Sequence, residues 1–363
     1  MPYMMRPEKK IKITFDIIKM KILVLGYFGY QTNQLDGQTV KTRNMYDLIK
    51  KRCLQPDDVT YFDMQDIKVN KMATFRLLKK LFKTTTLIYN PAENNIKYLF
   101  PIFFVLSKIW RFSINYFVIG GWLSDFLNKS PLHRFLLGKI KNIFPETPKD
   151  VAHLQEKFNY SNVCYLPNFR MNDYQLPLVE REDNDKFKIV FMARINKMKG
   201  YELVFNLAEK ICKYGSHHIT IDFYGQIKES DEKDFLSLVS QYDFVAYKGY
   251  LEPDEVYQTL SLYDIMLLPT RYYTEGFPGT ILDAYIAGIP VIATNWKHAA
   301  DFIDDGYSGF IIPFDNGELE LFQKVVELYE DTEKLGQMKR NARQKSEEYS
   351  EEKVWSILTN YLS

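Results

Sequence analysis

The sequence predicts an α/β protein with parallel sheets in two domains, on three observations. Its 363 residues are enough for two sizeable cores. Short apolar runs, such as Ile22 to Leu25 and Phe187 to Ala193, alternate with longer segments of helical character. The stretch from Asp264 to Ala293 spells a whole strand–loop–helix–strand unit, in which a buried strand (Asp264 to Leu268) meets a Gly- and Pro-punctuated loop, then a short apolar helix closed by Gly288, then a second buried strand from Pro290. Parallel sheets place ligands on such loops. A hydrophobic share of 46% with 26% charged residues is that of a globular chain and excludes intrinsic disorder.

The loop of that unit has chemical content. Gly276, Pro278, Gly279 and Thr280 stand where a helix begins, so backbone N–H groups and the positive end of the helix dipole point outward toward an anion or hydroxyl. Glu275 precedes the helix and Asp283 lies within it, eight positions on, which at the helical rise is up to about 12 Å. One carboxylate can then hold each end of an extended ligand. The plain alternative is a crossover with a solvated Glu and a helix-surface Asp.

Taken in order, residues 1–19 are charged throughout and lack the uninterrupted apolar core of a secretory signal; with Met20 directly before a strand, they are expected to be an upstream extension. The strand Lys21 to Leu25 leads through a loop bearing Gly26, Gly29 and Gly37 into a helix, a first βα unit without a G-x-G-x-x-G fingerprint. Strands follow at Val59 to Phe62 and Thr86 to Tyr89. The apolar run Tyr98 to Leu106 contains Pro101 and stops at Lys108 and Arg111, too short and too interrupted to span a bilayer, and reads as a buried helix feeding a strand at Tyr116 to Ile119, with a membrane-dipping segment as the alternative. Residues 130–144 read as a basic amphipathic helix, suited equally to packing on the sheet and to lying on an anionic membrane. Residues 163–169 read as the last strand of the first domain.

Residues 171–186 are polar, acidic and Pro-containing, as an interdomain linker is. The Asp183-Asn-Asp185 run inside it matches a D-x-D metal motif by spacing but lacks the strand context, and is set aside. The second domain opens with the strand Phe187 to Ala193, then Arg194 and Lys199-Gly200, then a helix from Tyr201 to Lys213. Cations at a strand's carboxyl end beside a helix start are what a leaving diphosphate requires, Arg as a bidentate fork and Lys as a compact charge. Strands near Ile219 to Tyr224 and Phe244 to Tyr247 end at Gly225 and at Gly249-Tyr-Leu251. Helices Leu319 to Glu348 and Glu351 to Tyr361 close the chain.

Charge divides the chain. Residues 1–170 hold 27 Lys and Arg against 13 Asp and Glu, whereas residues 171–363 hold 20 against 33, so a net charge of +1 hides halves of +14 and −13. The basic half suits an anionic membrane surface or a lipid-diphosphate acceptor. Nucleic-acid binding has no stacking motif behind it. Three scattered cysteines fit a reducing compartment and have no metal spacing.

The stretch EGFPGTILDAYIAGIPVIAT resembles the E-x7-E region of retaining glycosyltransferases of the two-domain GT-B type, glycosyltransferase family 4 in particular, and the Arg194 plus Lys199-Gly200 pattern is a second point of likeness. Asp283 stands where the family carries a second Glu, one methylene longer. Many relatives place a sugar-contacting His just after the strand that ends at Ile119; Gly120 and Gly121 stand there instead, so none of the five histidines is assigned to catalysis. The resemblance implies a GT-B fold of two doubly wound Rossmann-like domains facing a cleft: residues 1–170 on the acceptor side, 187–345 binding the nucleotide sugar, and a helix at 346–363 crossing back.

It also implies the activity, transfer of a sugar with retention from a nucleotide diphosphate donor, expected to be UDP-linked, to a glycan or glycolipid in polysaccharide biosynthesis. Arg194 and Lys199 stabilise the leaving diphosphate; Glu275 and the backbone of Gly276, Phe277, Pro278, Gly279 and Thr280 hold the sugar; and Asp283 holds the ribose. Gly37 faces the diphosphate, while Gly225 and Leu251 touch the base. No metal or cofactor is needed. The setting expected is cytoplasmic, peripheral on the inner membrane face. The rival reading is an inactive GT-B scaffold that binds glycan or membrane; a sugar-nucleotide epimerase of the same architecture lacks this pairing of motifs.

Overall fold

The structure is a computed structural model in which residues 20–32, 36–53, 55–91, 93–171, 174, 186–215 and 218–362 are described. The expected extension at 1–19 and the Asp183-Asn-Asp185 run lie outside the described residues, as does nearly all of the expected linker. The chain separates into two compact units, one made of Met1–Met171 with Tyr349–Ser363 and the other of Asn172–Glu348.

The first unit is a five-stranded parallel sheet in the order β2-β1-β3-β4-β5. Its strands are β1 (Ile22–Gly26), β2 (Val59–Asp63), β3 (Thr86–Asn90), β4 (Ser113–Phe117) and β5 (Asn142–Phe144). Between them run α1 (Gly37–Arg52), α2 (Gln65–Val69), α3 (Ala73–Lys83), α4 (Glu93–Tyr98), α5 (Phe100–Trp110), α6 (Leu123–Lys129) and α7 (Pro131–Leu137), and α8 (Pro148–Phe158) follows β5. Side chains alternate across the sheet into two cores: Leu23, Leu25, Leu87 and Tyr116 on one face, Ile22, Val24, Ile88 and Phe144 on the other. Helix α1 starts at a reciprocal capping box in which Asp36 accepts from the Thr39 amide and the Thr39 hydroxyl accepts from the Asp36 amide.

Within this unit Lys41 is buried. Its Nζ donates to Glu146 Oε1 at 2.6 Å and to the Val118 carbonyl at 2.9 Å, and Glu146 Oε2 accepts the Gly120 amide at 3.2 Å. Burial pushes the Lys41 ammonium below its ordinary range, and Glu146 pulls the other way without cancelling the shift. The pair ties the start of α1 to the Gly120-Gly121 segment beyond β4.

The second unit holds six parallel strands in the order β11-β10-β9-β6-β7-β8, the doubly wound arrangement. They are β6 (Phe187–Met192), β7 (Ile219–Tyr224), β8 (Val245–Tyr247), β9 (Ile265–Leu268), β10 (Val291–Thr294) and β11 (Gly309–Ile312). Helices α9 (Tyr201–Tyr214), α10 (Glu232–Val239), α11 (Val256–Leu260), α12 (Gly279–Ile286), α13 (Glu318–Glu330) and α14 (Thr332–Ser346) cover the faces. Strand order reverses between β9 and β6, which pair through Ile189 and Ile265. The last helix, α15 (Glu351–Leu362), belongs to the first unit, where Val354, Leu358 and Leu362 enter the same core as Met45 and Ile49.

Four sequence-based expectations need correction. The supposed strand 163–169 makes one isolated bridge, Ile143 to Val163; beyond it Pro167 has no N–H to give and the Asn168 side chain takes the Phe169 amide. The amphipathic helix expected over 130–144 ends at Leu137, and Asn142–Phe144 is the edge strand β5. The long helix 319–348 is broken at Asp331, whose side chain accepts the Lys334 amide and starts α14. Helix α5 is not buried on all sides: Phe100 and Phe103 face the core, but Ile102, Val105 and Ile109 face outward.

Candidate active site

The sheet of the second unit reverses its order between β6 and β9, so the loops leaving those two strands diverge to opposite sides and leave room between them, the usual ligand position in an open α/β sheet. The first loop turns at Lys197–Lys199, where the Asn196 side chain accepts the Lys199 amide at 3.0 Å. Gly200 ends the turn at φ 78°, and a Cβ there would lie 1.8 Å from the Pro269 carbonyl oxygen, so only glycine lets the two loops come this close. The Arg271 amide then donates to the Met198 carbonyl at 2.9 Å, joining them backbone to backbone.

This closeness brings two predicted residues together. Lys199 Nζ donates to both carboxylate oxygens of Glu275, at 2.6 and 2.7 Å, with their side chains 24% and 14% exposed. Thr270, absent from the sequence-based assignment, completes the arrangement. Its hydroxyl donates to Glu275 Oε2 at 3.0 Å and accepts the Tyr272 amide at 3.2 Å, which helps fix the carboxylate beside the lysine. Its signal was positional: a polar residue one step past Pro269, at the carboxyl end of β9.

Beyond Glu275 the chain packs down. Phe277 is buried and stacks on Phe302, centroids 3.9 Å apart and planes 5° from parallel, so any contact it offers a ligand is through its backbone. Pro278 stands at the N-cap of α12 and offers no side-chain cap. Gly279 and Thr280, the first residues of the helix, are half-buried. Asp283 is not the helix-surface carboxylate of the plain alternative: it is 7% exposed, and the Tyr257 phenol of α11 donates to its Oδ1 at 3.4 Å. Tyr257 was not anticipated, because nothing in a five-residue helix announces its partner 26 positions away.

The remaining predicted residues fall into two groups. Arg194 is exposed in the loop after β6. Gly225 closes β7 beside it at φ 136°; a Cβ there would meet the Ala193 carbonyl oxygen at 2.0 Å. The Gly225 amide donates to Gly249 O at 2.7 Å, which draws the Gly249–Leu251 segment to the same strand ends. Gly37 belongs to the first unit, where it is the first residue of α1, and a Cβ on it would touch nothing within 4 Å, so packing does not require glycine there. Asp301, also absent from the sequence-based assignment, is held by His298, Nδ1 to Oδ2 3.2 Å, with both side chains nearly out of solvent.

A solvent-open hollow lined by Lys188, Thr220, Asp222 and Lys248 lies elsewhere, along β6, β7 and β8. Lys188 and Thr220 open their strands, so it sits toward the amino ends, away from the Lys199–Glu275 pair.

Known proteins resemble this chain in part of its sequence and in its fold. Residues 176–345 match the model of the family described as glycosyl transferases group 1. Among curated relatives, the uncharacterized 41.2 kDa protein in the cps region of Klebsiella pneumoniae is 29% identical over 146 residues, 40% of this chain and 36% of that protein. The capsular polysaccharide biosynthesis glycosyltransferase CapM of Staphylococcus aureus is 26% identical over 208 residues, 55% of this chain and 52% of that protein. The matches thus span about a third to a half of these relatives. Among solved structures, Anabaena HepE in complex with UDP-glucose superposes with a TM-score of 0.72 at 14% identity, covering 95% of this chain and 99% of HepE. A likeness at that identity establishes the fold, two Rossmann-like domains of the GT-B kind. The matched segment 176–345 contains the loops that join Lys199 to Glu275.

Proposed function

We propose that this chain is a retaining, metal-independent glycosyltransferase of family 4 that moves a sugar from a UDP-linked donor to a glycan or glycolipid acceptor in cell-surface polysaccharide synthesis, in the cytoplasm at an anionic membrane surface. The observation that carries this reading is the Lys199–Glu275 pair, set at the strand-order reversal beside the start of α12. CapM supports the class of product and HepE, solved with UDP-glucose, the class of donor.

In this mechanism the bond from the anomeric carbon to the diphosphate oxygen breaks while the acceptor oxygen bonds the same face of the sugar. The departing diphosphate gains one negative charge. Lys199 and Arg194 meet that charge as fixed donors that need no reorganisation, while the backbone of Gly276 to Thr280 holds the sugar. The acceptor proton passes to the departing phosphate oxygen, so no protein base is required. Glu275, held by Lys199 and Thr270, is fixed to accept from sugar hydroxyls. Asp283 takes the ribose, Gly225 and Leu251 the base, and Gly37 the diphosphate.

The test is nucleotide release from UDP-, GDP- and ADP-sugars in the presence of EDTA, for the wild-type protein and Glu275→Ala. Release from one donor that the substitution abolishes supports the reading. Failure with every donor, even with lipid-linked acceptors added, overturns it.

A further inference from the structure

We propose that the outward faces of α3, α5 and α7 in the first unit form the surface on which this protein docks to an anionic lipid bilayer. The proposal takes up only the membrane element of the functional reading and places it on particular side chains.

Helix α5 has two apolar faces. Phe100 and Phe103 enter the core, while Ile102, Val105 and Ile109, spaced three and four apart on the opposite side, are 54%, 56% and 65% exposed. A helix that is apolar all round belongs inside a core or against lipid, and α5 has a core on one side only. Helix α3 repeats the pattern: Ala73, Leu77 and Leu81 are buried, and Phe75 and Phe82, seven apart, are each 66% exposed. The Phe82 ring meets Trp110 edge-on at 5.8 Å, joining α3 to α5, and α7 packs beside α5 with Phe135 62% exposed. These apolar side chains lie on neighbouring helices and form one surface rather than scattered points.

Charge decides the occupant. From Lys71 to Arg111 the sequence has eight Lys or Arg and one acid, Glu93; from Lys129 to Lys141 it has four and none. Burial and the nearby Arg76 hold the Lys80 ammonium below its ordinary range, as in a crowded cationic surface. A second copy docked by a two-fold axis would set this cationic face against itself. Anionic headgroups complement it, with the apolar side chains entering the headgroup boundary. No helix among the described residues is long and apolar enough to cross a membrane, so the contact proposed is along the surface.

The test is flotation of the full chain with vesicles of phosphatidylcholine alone and of an equal mixture with phosphatidylglycerol. Wild type should float with the mixed vesicles and little with the neutral ones. Ile102→Ser with Ile109→Ser should lower partitioning at least about tenfold, and Lys79→Ala with Lys83→Ala about thirtyfold. All four side chains are solvent-exposed, so circular dichroism melting should stay at the wild-type temperature, and the two pairs sit on different helices should one fail to fold. Equal binding to both vesicles, no flotation, or both pairs floating like wild type overturns the proposal, as does a dimer in light scattering that these substitutions dissociate. Nucleotide release measured without vesicles should be unchanged in both pairs, which separates failure at the membrane from failure of the transfer chemistry.

Discussion

Lys199 Nζ sits between the two carboxylate oxygens of Glu275, at 2.6 and 2.7 Å, although 76 residues separate them in the chain. In the proposed reaction the ammonium serves the leaving group while the carboxylate serves the sugar, so each residue orders its partner. Lys199→Ala is expected to lower turnover by more than about a hundredfold, the loss of roughly 3 kcal/mol at the transition state. Nucleotide release under donor saturation checks this, and near-normal turnover removes the assigned role.

Thr270→Val tests how much of the carboxylate's placement rests on the hydroxyl. The substitution keeps the volume but withdraws the donor to Glu275 Oε2 and the acceptor of the Tyr272 amide. A loss of about 1 kcal/mol in stability is expected, with turnover falling several-fold while donor affinity changes less. An activity loss explained wholly by a rise in KM would place Thr270 in ground-state binding instead.

Glycine positions should separate by packing. Gly200→Ala forces a Cβ to 1.8 Å from the Pro269 carbonyl at a positive φ, and should cost about 2–4 kcal/mol or prevent folding. Gly37→Ala meets nothing within 4 Å and should leave the melting temperature within a degree or two. If Gly37→Ala nonetheless lowers turnover, the reason lies with a bound molecule.

Lys41→Met leaves the buried Glu146 carboxylate without its ammonium and should cost about 3–5 kcal/mol in urea unfolding. Adding Glu146→Leu should recover most of that loss. A double variant no more stable than the single one would indicate that Glu146 acts chiefly through the Gly120 amide.

The contact between α1 and α15 should weaken in acid. Burial pushes the Glu351 carboxyl up, but hydrogen bonds from Lys51 and Arg52 more than offset it, and the carboxyl is held below its ordinary range. A carboxyl depressed in the folded state stabilises it fully above the unfolded value and progressively less as pH falls through the folded one. Amide exchange protection in α15 should therefore drop between about pH 5 and pH 3, and Glu351→Gln should flatten that dependence.

Most of the frame was legible in the sequence because it is local: β1, β6, β9 and β10 are apolar runs, and Gly200, Gly276 and Gly288 punctuate them. Thr270 and Tyr257 were not legible, since each is defined by a partner that the sheet brings near. Helix α5 was misread for a different reason. Apolar composition signals removal from water without naming the apolar medium, and only the solvent-facing positions of Ile102, Val105 and Ile109 distinguish the two faces. The Asp331 break was misread because a single capping carboxylate weighs little against helical residues on either side.

The first unit is discontinuous in sequence, since α15 joins it only after the chain has passed through all of the second unit. During synthesis the second unit is a contiguous segment that can fold as soon as it leaves the ribosome, whereas the first must wait with the core around Met45 and Ile49 open until Val354, Leu358 and Leu362 arrive. Until then an apolar seam is available to chaperones and proteases. Loss of the final helix would accordingly register as reduced cellular abundance of the whole protein rather than as a shortened but serviceable one.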